Sequence, residues 1–205
     1  MFISFEGIDG SGKSTQIELL AERLAAAGRP VKVFREPGGS VLSEKIRELL
    51  LDDAFDVDPF AETLLFSAAR AQLVARGIRP LLDAGTVVIC DRFFDSTVAY
   101  QGYGRQFDDV AWLQDFQMRV TGGLAPVRTY LLRISADTAV SRRRARAGGK
   151  EDRMEQGGDA FFARIETAYD KLAAASPERM LVLDGRQSID VLHQQIWADF
   201  NRLQG

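Results

Sequence analysis

Cysteine, histidine and asparagine are almost missing from this 205-residue chain, and each scarcity closes off a class of chemistry. The lone cysteine, Cys90, can form neither an internal disulfide nor a paired-thiol metal site. It falls inside the apolar run Val87-Val88-Ile89-Cys90, where a thiol acts as a small buried hydrophobe suited to a reducing compartment. The lone histidine, His193, sits in a C-terminal helical pattern without a second histidine or cysteine pair, which argues against zinc and against a Ser-His-Asp triad. The only asparagine is Asn201, so the N-K-x-D motif that selects guanine in nucleotide switches is absent. Charge of one sign is also lacking. With 26 Lys and Arg against 29 Asp and Glu, the net −3 gives no reason to expect a nucleic-acid or membrane partner. No apolar run approaches the ~18 residues of a membrane span, and strand-like sequence starting at Phe2 leaves no room for a signal peptide. A cytoplasmic protein with one domain over residues 1–205 is expected, since no repeat, linker or low-complexity tract interrupts the pattern.

What the chain does contain begins at residue 7. Gly7-Ile8-Asp9-Gly10-Ser11-Gly12-Lys13-Ser14, followed by Thr15, matches G-x-x-x-x-G-K-[ST]. The apolar run Phe2, Ile3, Phe5 precedes it, and Ile17, Leu20, Ala21 and Leu24 follow on one helical face that stops at Gly28. A phosphate-binding loop needs this order, because backbone N–H groups and a helix dipole converge on the polyphosphate between a strand end and a helix start. Lys13 would reach the β- and γ-phosphates and Ser14 would ligate Mg²⁺. The bland alternative is a plain glycine-rich turn.

The rest of the chain alternates strand and helix. Strands are expected at 31–34, 86–90, 128–134 and 180–183. Helices are expected around 41–51, 60–84 (kinked or restarted at Pro80), 96–103, 108–120, from 136, 159–174 and 189–203. Strands joined by helical crossovers form an α/β/α sandwich on a parallel sheet. Ligands in such folds gather at the carboxyl ends of the strands, which directs attention to the loops 7–14, 35–40 and 91–97.

Those loops hold further candidates. Asp91 at the tip of an apolar strand could hold Mg²⁺ or orient phosphates, and Arg92 beside it could clamp a phosphate; the alternative is a surface ion pair. Arg35-Glu36-Pro37-Gly38-Gly39 alone looks like an ordinary turn. Phe66 and Arg70, four apart on one helix face, could stack a base and hydrogen-bond its edge. Without context they read as a core phenylalanine and a solvated arginine. Residues 142–153, RRRARAGGKEDR, carry a glycine-interrupted run of basic side chains, consistent with a lid closing over phosphates or with a solvated helix.

Taken in order, GIDGSGKST, REPGG, LLFSAAR, DRFFDSTVAYQGYGR and a basic segment ending DRMEQ resemble the thymidylate kinase family, bacterial type, across nearly the whole chain. The resemblance implies a P-loop kinase of the nucleoside monophosphate kinase type with a five-stranded parallel sheet, acting as a homodimer. It implies γ-phosphate transfer from ATP to dTMP with Mg²⁺. Residues Gly7 to Thr15 would bind ATP, with Lys13, Asp91, Arg92 and the lid arginines Arg146 and Arg153 in catalysis and Ser14, Asp91 and Glu36 around the metal. For dTMP the resemblance implies Asp9 near the 3′-hydroxyl, Glu36 and Pro37 by the acceptor, and Arg47 and Arg92 on the phosphate. Phe66 would stack on thymine, Arg70 would donate to its carbonyl, Thr97 and Gln101 would contact the base edge, Ser96 would join the substrate site, and Tyr100 would crowd the 2′ position. The lid is expected at about 142–156, where Gly148-Gly149 stands in place of the family's frequent Arg-Gly, leaving open which arginine reaches the phosphates; Arg146 and Arg153 rank ahead of Arg142 and Arg143. Phe93 replaces the family's commoner tyrosine, and Val127-Arg128 follows Pro126 where an aspartate is usual. A kinase for another nucleoside monophosphate, a nucleotide-switch protein and an inactive relative remain as alternatives.

Overall fold

A computed structural model describes residues 1–145 and 157–204, with residues 143–145 described by their backbone alone. Arg146 and Arg153 lie outside the described residues. Strands β1 (Phe2–Glu6), β2 (Val31–Arg35), β3 (Val87–Asp91), β4 (Arg128–Arg133) and β5 (Met180–Asp184) form one sheet in the order β2-β3-β1-β4-β5. Every pairing is parallel, with Phe5 opposite Asp91 and Arg35 opposite the same Asp91. All carboxyl ends therefore share one rim, and the loop after the central β1 opens at its middle.

Side-chain alternation explains how the layers assemble. Ile3, Phe5, Val87 and Ile89 pack with Ile17, Leu20 and Leu24 of α1 (Lys13–Ala26) and Leu192, Ile196 and Phe200 of α9 (Ile189–Arg202). Phe2, Val88 and Cys90 point the other way, against Leu73, Val74 and Ile78. On that second face Phe161, Phe162, Ile165 and Tyr169 of α8 (Gly158–Ala175) meet Leu131 and Met180. Full burial of each large aliphatic chain contributes about 1.5–3 kcal/mol, so the two layers hold the sheet from both sides.

Helix starts follow local chemistry. Ser40 caps α2 (Val41–Leu51) through Ser43 N–H, Asp58 caps α3 (Pro59–Leu73) through Phe60 and Ala61 N–H, and Asp109 caps α6 (Val110–Val120) through Trp112 N–H. The expected helix over 60–84 is instead three pieces: α3, a π-helical turn at Val74–Ile78, and the short α4 (Arg79–Asp83). Pro80 has no N–H for the preceding turn, and the wider turn absorbs the missing bond. The expected helix over 96–103 is likewise a short α5 (Phe94–Thr97) running into a π-helical stretch, Val98–Gly104. The helix from Ala136 is α7 (Ala136–Ala145). No helix among the described residues is long and apolar enough to cross a membrane.

Candidate active site

The loop after β1 turns back through positive-φ glycines. Gly7 (φ 133°), Gly10 (88°) and Gly12 (100°) adopt backbone that side-chain-bearing residues rarely enter, and a Cβ on Gly7 would lie 2.5 Å from the Leu132 carbonyl oxygen. Lys13 opens α1 and folds over this loop, donating from Nζ to Gly7 O at 2.9 Å and Ile8 O at 3.2 Å. Burial lowers its pKa, as does the nearby Arg92, while Asp9, Asp91 and Glu6 oppose the shift. Ser14 Oγ donates to Asp91 Oδ2 at 3.3 Å, and Asp91 Oδ1 is buried with no partner among the described residues. Gly10, Ser11, Gly12 and Thr15 border a cavity closed on its far side by Gln16, Arg142, Gly185, Gln187, Ile189 and Leu192. Arg142 donates to Gly10 O and Gly185 O, so the first residue of the basic segment rests on the loop after β1.

A second cavity, about 630 Å³ including its open mouth, lies on the other side of Asp9. Asp9, Glu36, Pro37, Arg47, Phe66, Arg70, Arg92, Ser96, Thr97, Tyr100 and Gln101 line it together with Leu51. The structure thus gathers every acceptor-side residue singled out from the sequence, and adds Leu51. These positions come from the loops after β1 and β2, from α2 and α3, and from the segment after β3, which the parallel sheet brings to one rim.

Arg92 is its hinge. It follows β3 with φ 71°, a left-handed backbone that a non-glycine residue adopts only under surrounding constraint. Its guanidinium bonds Asp9 Oδ1 at 2.7 Å, Tyr100 Oη at 3.1 Å and Ser96 Oγ at 3.1 Å. Arg47 donates to Pro37 O at 3.2 Å on the cavity's opposite side.

Arg70 is not a solvated arginine, as its residue type alone suggested; it is 2% exposed. Nε and Nη2 engage Glu36 Oε2 at 2.7 and 2.6 Å, Nη1 reaches Thr97 Oγ1 at 2.9 Å and Gln117 Oε1 at 2.7 Å, and Nη2 also donates to Phe93 O. The fork of five N–H groups is fully subscribed in this state. Glu36 keeps Oε1 buried and without a partner among the described residues, and its pKa is raised by burial against the opposing effect of Arg70.

Sequence reasoning missed the residues behind this surface. Gln117 also donates to Ser67 Oγ at 2.9 Å, tying α6 to α3 behind Arg70. Glu6 ends β1 fully buried, accepting from Phe93 N–H at 2.8 Å, Ser96 Oγ at 2.5 Å and Tyr169 Oη at 2.8 Å. Its signal was present: a glutamate closing a mostly apolar, central strand must be paired inside. Burial pushes its carboxyl from 4.5 up to about 7, with Asp95 adding to the rise and Arg92 opposing it.

Between those values the native state holds a proton that the unfolded chain has released. The stability this group contributes is therefore full below pH 4.5 and is lost as pH climbs through about 7, on the order of 3 kcal/mol in all. Glu6→Gln removes the dependence. Calorimetry from about pH 5 to pH 8 should show the variant's melting temperature rising relative to the unmodified protein. A difference that stays flat across this range would refute the shift.

The comparisons decide the family. The thymidylate kinase family model matches residues 5–196. The chain belongs to the thymidylate kinase family. Thymidylate kinase of Deinococcus radiodurans is 46% identical over 198 residues, covering 97% of this chain and 95% of that one. Thymidylate kinase of Bifidobacterium longum (strain NCC 2705) is 47% identical over 207 residues, covering 99% and 98%. The crystal structure of thymidylate kinase from Ehrlichia chaffeensis superposes with a TM-score of 0.78 at 34% identity, covering 98% of each chain. The loop after β1 sits at the centre of the all-parallel sheet, with helices on both faces.

Proposed function

We propose that the protein transfers the γ-phosphate of ATP to dTMP, giving dTDP and ADP, in the supply of dTTP. One observation supports this reading beyond the family match: the Asp9–Arg92 ion pair at 2.7 Å joins the loop after β1 to the acceptor cavity, so donor and acceptor phosphates would meet across it. The acceptor phosphate is already an anionic nucleophile. The chemistry therefore needs alignment and charge neutralisation, not a covalent intermediate. Lys13 and the loop N–H groups would hold the donor phosphates. Arg92 and Arg47 would clamp the acceptor phosphate, and Asp9 would accept from the 3′-hydroxyl.

Phe66 would stack on the base, and Tyr100, held by Arg92, would crowd the sugar where a 2′-hydroxyl would project. Of the partners of Arg70, Glu36 and Thr97 line the cavity, and the neutral Thr97 hydroxyl is the one a thymine carbonyl can replace without uncovering a charge. Mg²⁺ fits the donor set here: Ser14 Oγ beside Asp91, whose Oδ1 is orphaned, with Glu36 Oε1 as a third candidate oxygen. When bound, the ion would neutralise charge on the ATP phosphates. The remaining positive charge would come from a lid at about 142–156, with Arg142 already on the loop and Arg146 and Arg153 the candidates by sequence.

We read residues 1–205 as one kinase domain in the cytoplasm, where ATP and dTMP are found, with no nucleic-acid partner in view of the near-balanced charge. A homodimer through α3 and α6 is supported by the half-exposed aromatic stack of Phe60, Phe107, Trp112 and Phe116, with Leu64 beside it; sedimentation equilibrium should give twice the 22.7 kDa chain mass. The activity is tested with ATP and magnesium against dTMP, dUMP, dCMP, AMP and GMP in a coupled assay. The highest kcat/KM is expected for dTMP, and turnover should vanish with EDTA. AMP or GMP turned over as well as dTMP would overturn the reading.

A further inference from the structure

Glu62 lies on α3 just behind the acceptor cavity, wholly buried, and does not line it. It nevertheless touches a residue that does. Glu62 Oε1 accepts from Gln101 Nε2 at 2.9 Å, and Arg105 supplies the countercharge, from Nε at 3.3 Å and from Nη2 at 3.2 Å. A carboxylate presents only acceptors, so the amide face turned toward Glu62 is the NH₂ face. Gln101 Oε1 is left on the other side, without a hydrogen bond among the described residues, in a side chain that is 2% exposed and borders the cavity.

We propose that Glu62 is a positioning residue for acceptor choice: it locks the Gln101 amide so that a carbonyl, and not an NH₂, faces the base. Resting on the dTMP reading above, this assigns the slot to bases with an imide edge, a ring N–H next to a carbonyl, as in thymine and uracil. A free glutamine amide would not discriminate, because half a turn about its last torsion exchanges donor for acceptor. Held by Glu62 it cannot turn. A cytosine ring nitrogen would then set its lone pair against Gln101 Oε1 and leave both acceptors buried and unpaired, which is where discrimination of this kind arises. Arg70 in the same cavity is a pure donor, so Arg70 and Gln101 together form a donor–acceptor pair that matches a carbonyl beside a ring N–H.

The test compares Glu62→Gln, Glu62→Asp and Arg105→Lys with the unmodified enzyme. kcat/KM and calorimetric Kd are measured for dTMP and dCMP with ATP and magnesium. In Glu62→Gln the neighbour can itself donate or accept, the Gln101 amide is freed, and the dTMP-to-dCMP preference should fall about tenfold or more, read in KM and Kd for the acceptor. Glu62→Asp keeps an acceptor-only partner and should retain more of the preference than Glu62→Gln. Arg105→Lys keeps both the carboxylate and the countercharge and should leave the preference within about twofold of the original, since the lock is the Glu62–Gln101 bond. If Glu62 merely ties α3 to the 98–104 segment, all three variants would lower both substrates together and leave the ratio unchanged, which overturns the proposal.

An unmodified enzyme that does not favour dTMP over dCMP would instead sink the thymine reading on which it rests. Should Glu62→Gln fail to fold, the imino proton of ¹⁵N3-labelled dTMP bound to the unmodified protein decides. Slowed exchange with water supports a carbonyl facing the ring N–H, and exchange as fast as in free dTMP refutes it.

Discussion

Lys13→Ala should lower kcat by about 10³-fold while leaving dTMP binding and the fold intact. The side chain is 5% exposed and donates to two loop carbonyls, Gly7 O and Ile8 O, so its ammonium is already aimed and desolvated before any phosphate arrives. Charge that is pre-placed in a water-poor site stabilises a transferring phosphoryl group far more than the same charge in solvent. Burial lowers its pKa, so the fold holds this cation at a desolvation cost. Its removal strips two carbonyls of a donor but also removes a buried cation, so the melting temperature should move by only a few degrees. Lys13 is absent from the acceptor cavity, and dTMP affinity by calorimetry should therefore be unchanged. Single-turnover transfer within about tenfold of the unmodified enzyme would discredit the loop's role.

Arg70→Met carries the largest expected cost in stability, about 3–5 kcal/mol, because it abandons Glu36 in the interior. Glu36 is 3% exposed, its Oε2 is held by Arg70, and its Oε1 has no partner among the described residues. The substitution also frees Gln117 Oε1, Thr97 Oγ1 and the Phe93 carbonyl from their donor. If uncovered charge dominates, adding Glu36→Gln to Arg70→Met should recover part of the loss, and the pair should be strongly non-additive in urea denaturation. Strict additivity of the two single changes would show that packing, not the ion pair, accounts for Arg70. Both variants should also lose dTMP turnover, since the arginine lines the acceptor cavity.

What could be read beforehand depended on how local the physics is. The strand–glycine loop–helix geometry at residues 2–26 was legible because its parts are contiguous: a strand, a run of glycines at special φ and a helix start need no distant residue to define them. Sheet and layers were legible from strands separated by helical crossovers; which layer each strand residue meets, Ile3 and Phe5 on one side and Phe2 on the other, came only with the fold. The helix over 60–84 was read too simply, because a proline announces a break without saying how the chain absorbs it, here by a π-helical turn. The acceptor residues were named through resemblance, and residue type alone pointed the wrong way at Arg70. Its partners lie 23 to 47 positions away in the chain, beyond the reach of any periodicity. Glu62 and Gln117 gave even less warning, since a buried polar side chain looks like a surface one until its neighbours are known.

The amino-acid order by itself settled the local choices: where glycine permits a left-handed turn, where a serine or aspartate starts a helix, which short runs are apolar enough to be strands. Those follow from backbone sterics and hydrogen bonds that close within a few residues. Only the folded sheet decided which charges face one another. Parallel strands carry Glu6, Arg35 and Asp91 to one rim, Arg92 is bent onto Asp9, and a carboxylate on α3 takes one face of the Gln101 amide. Electrostatics and hydrogen bonding act through space over a few ångströms, so the donor and acceptor pattern of the cavity exists only once distant segments have been packed together.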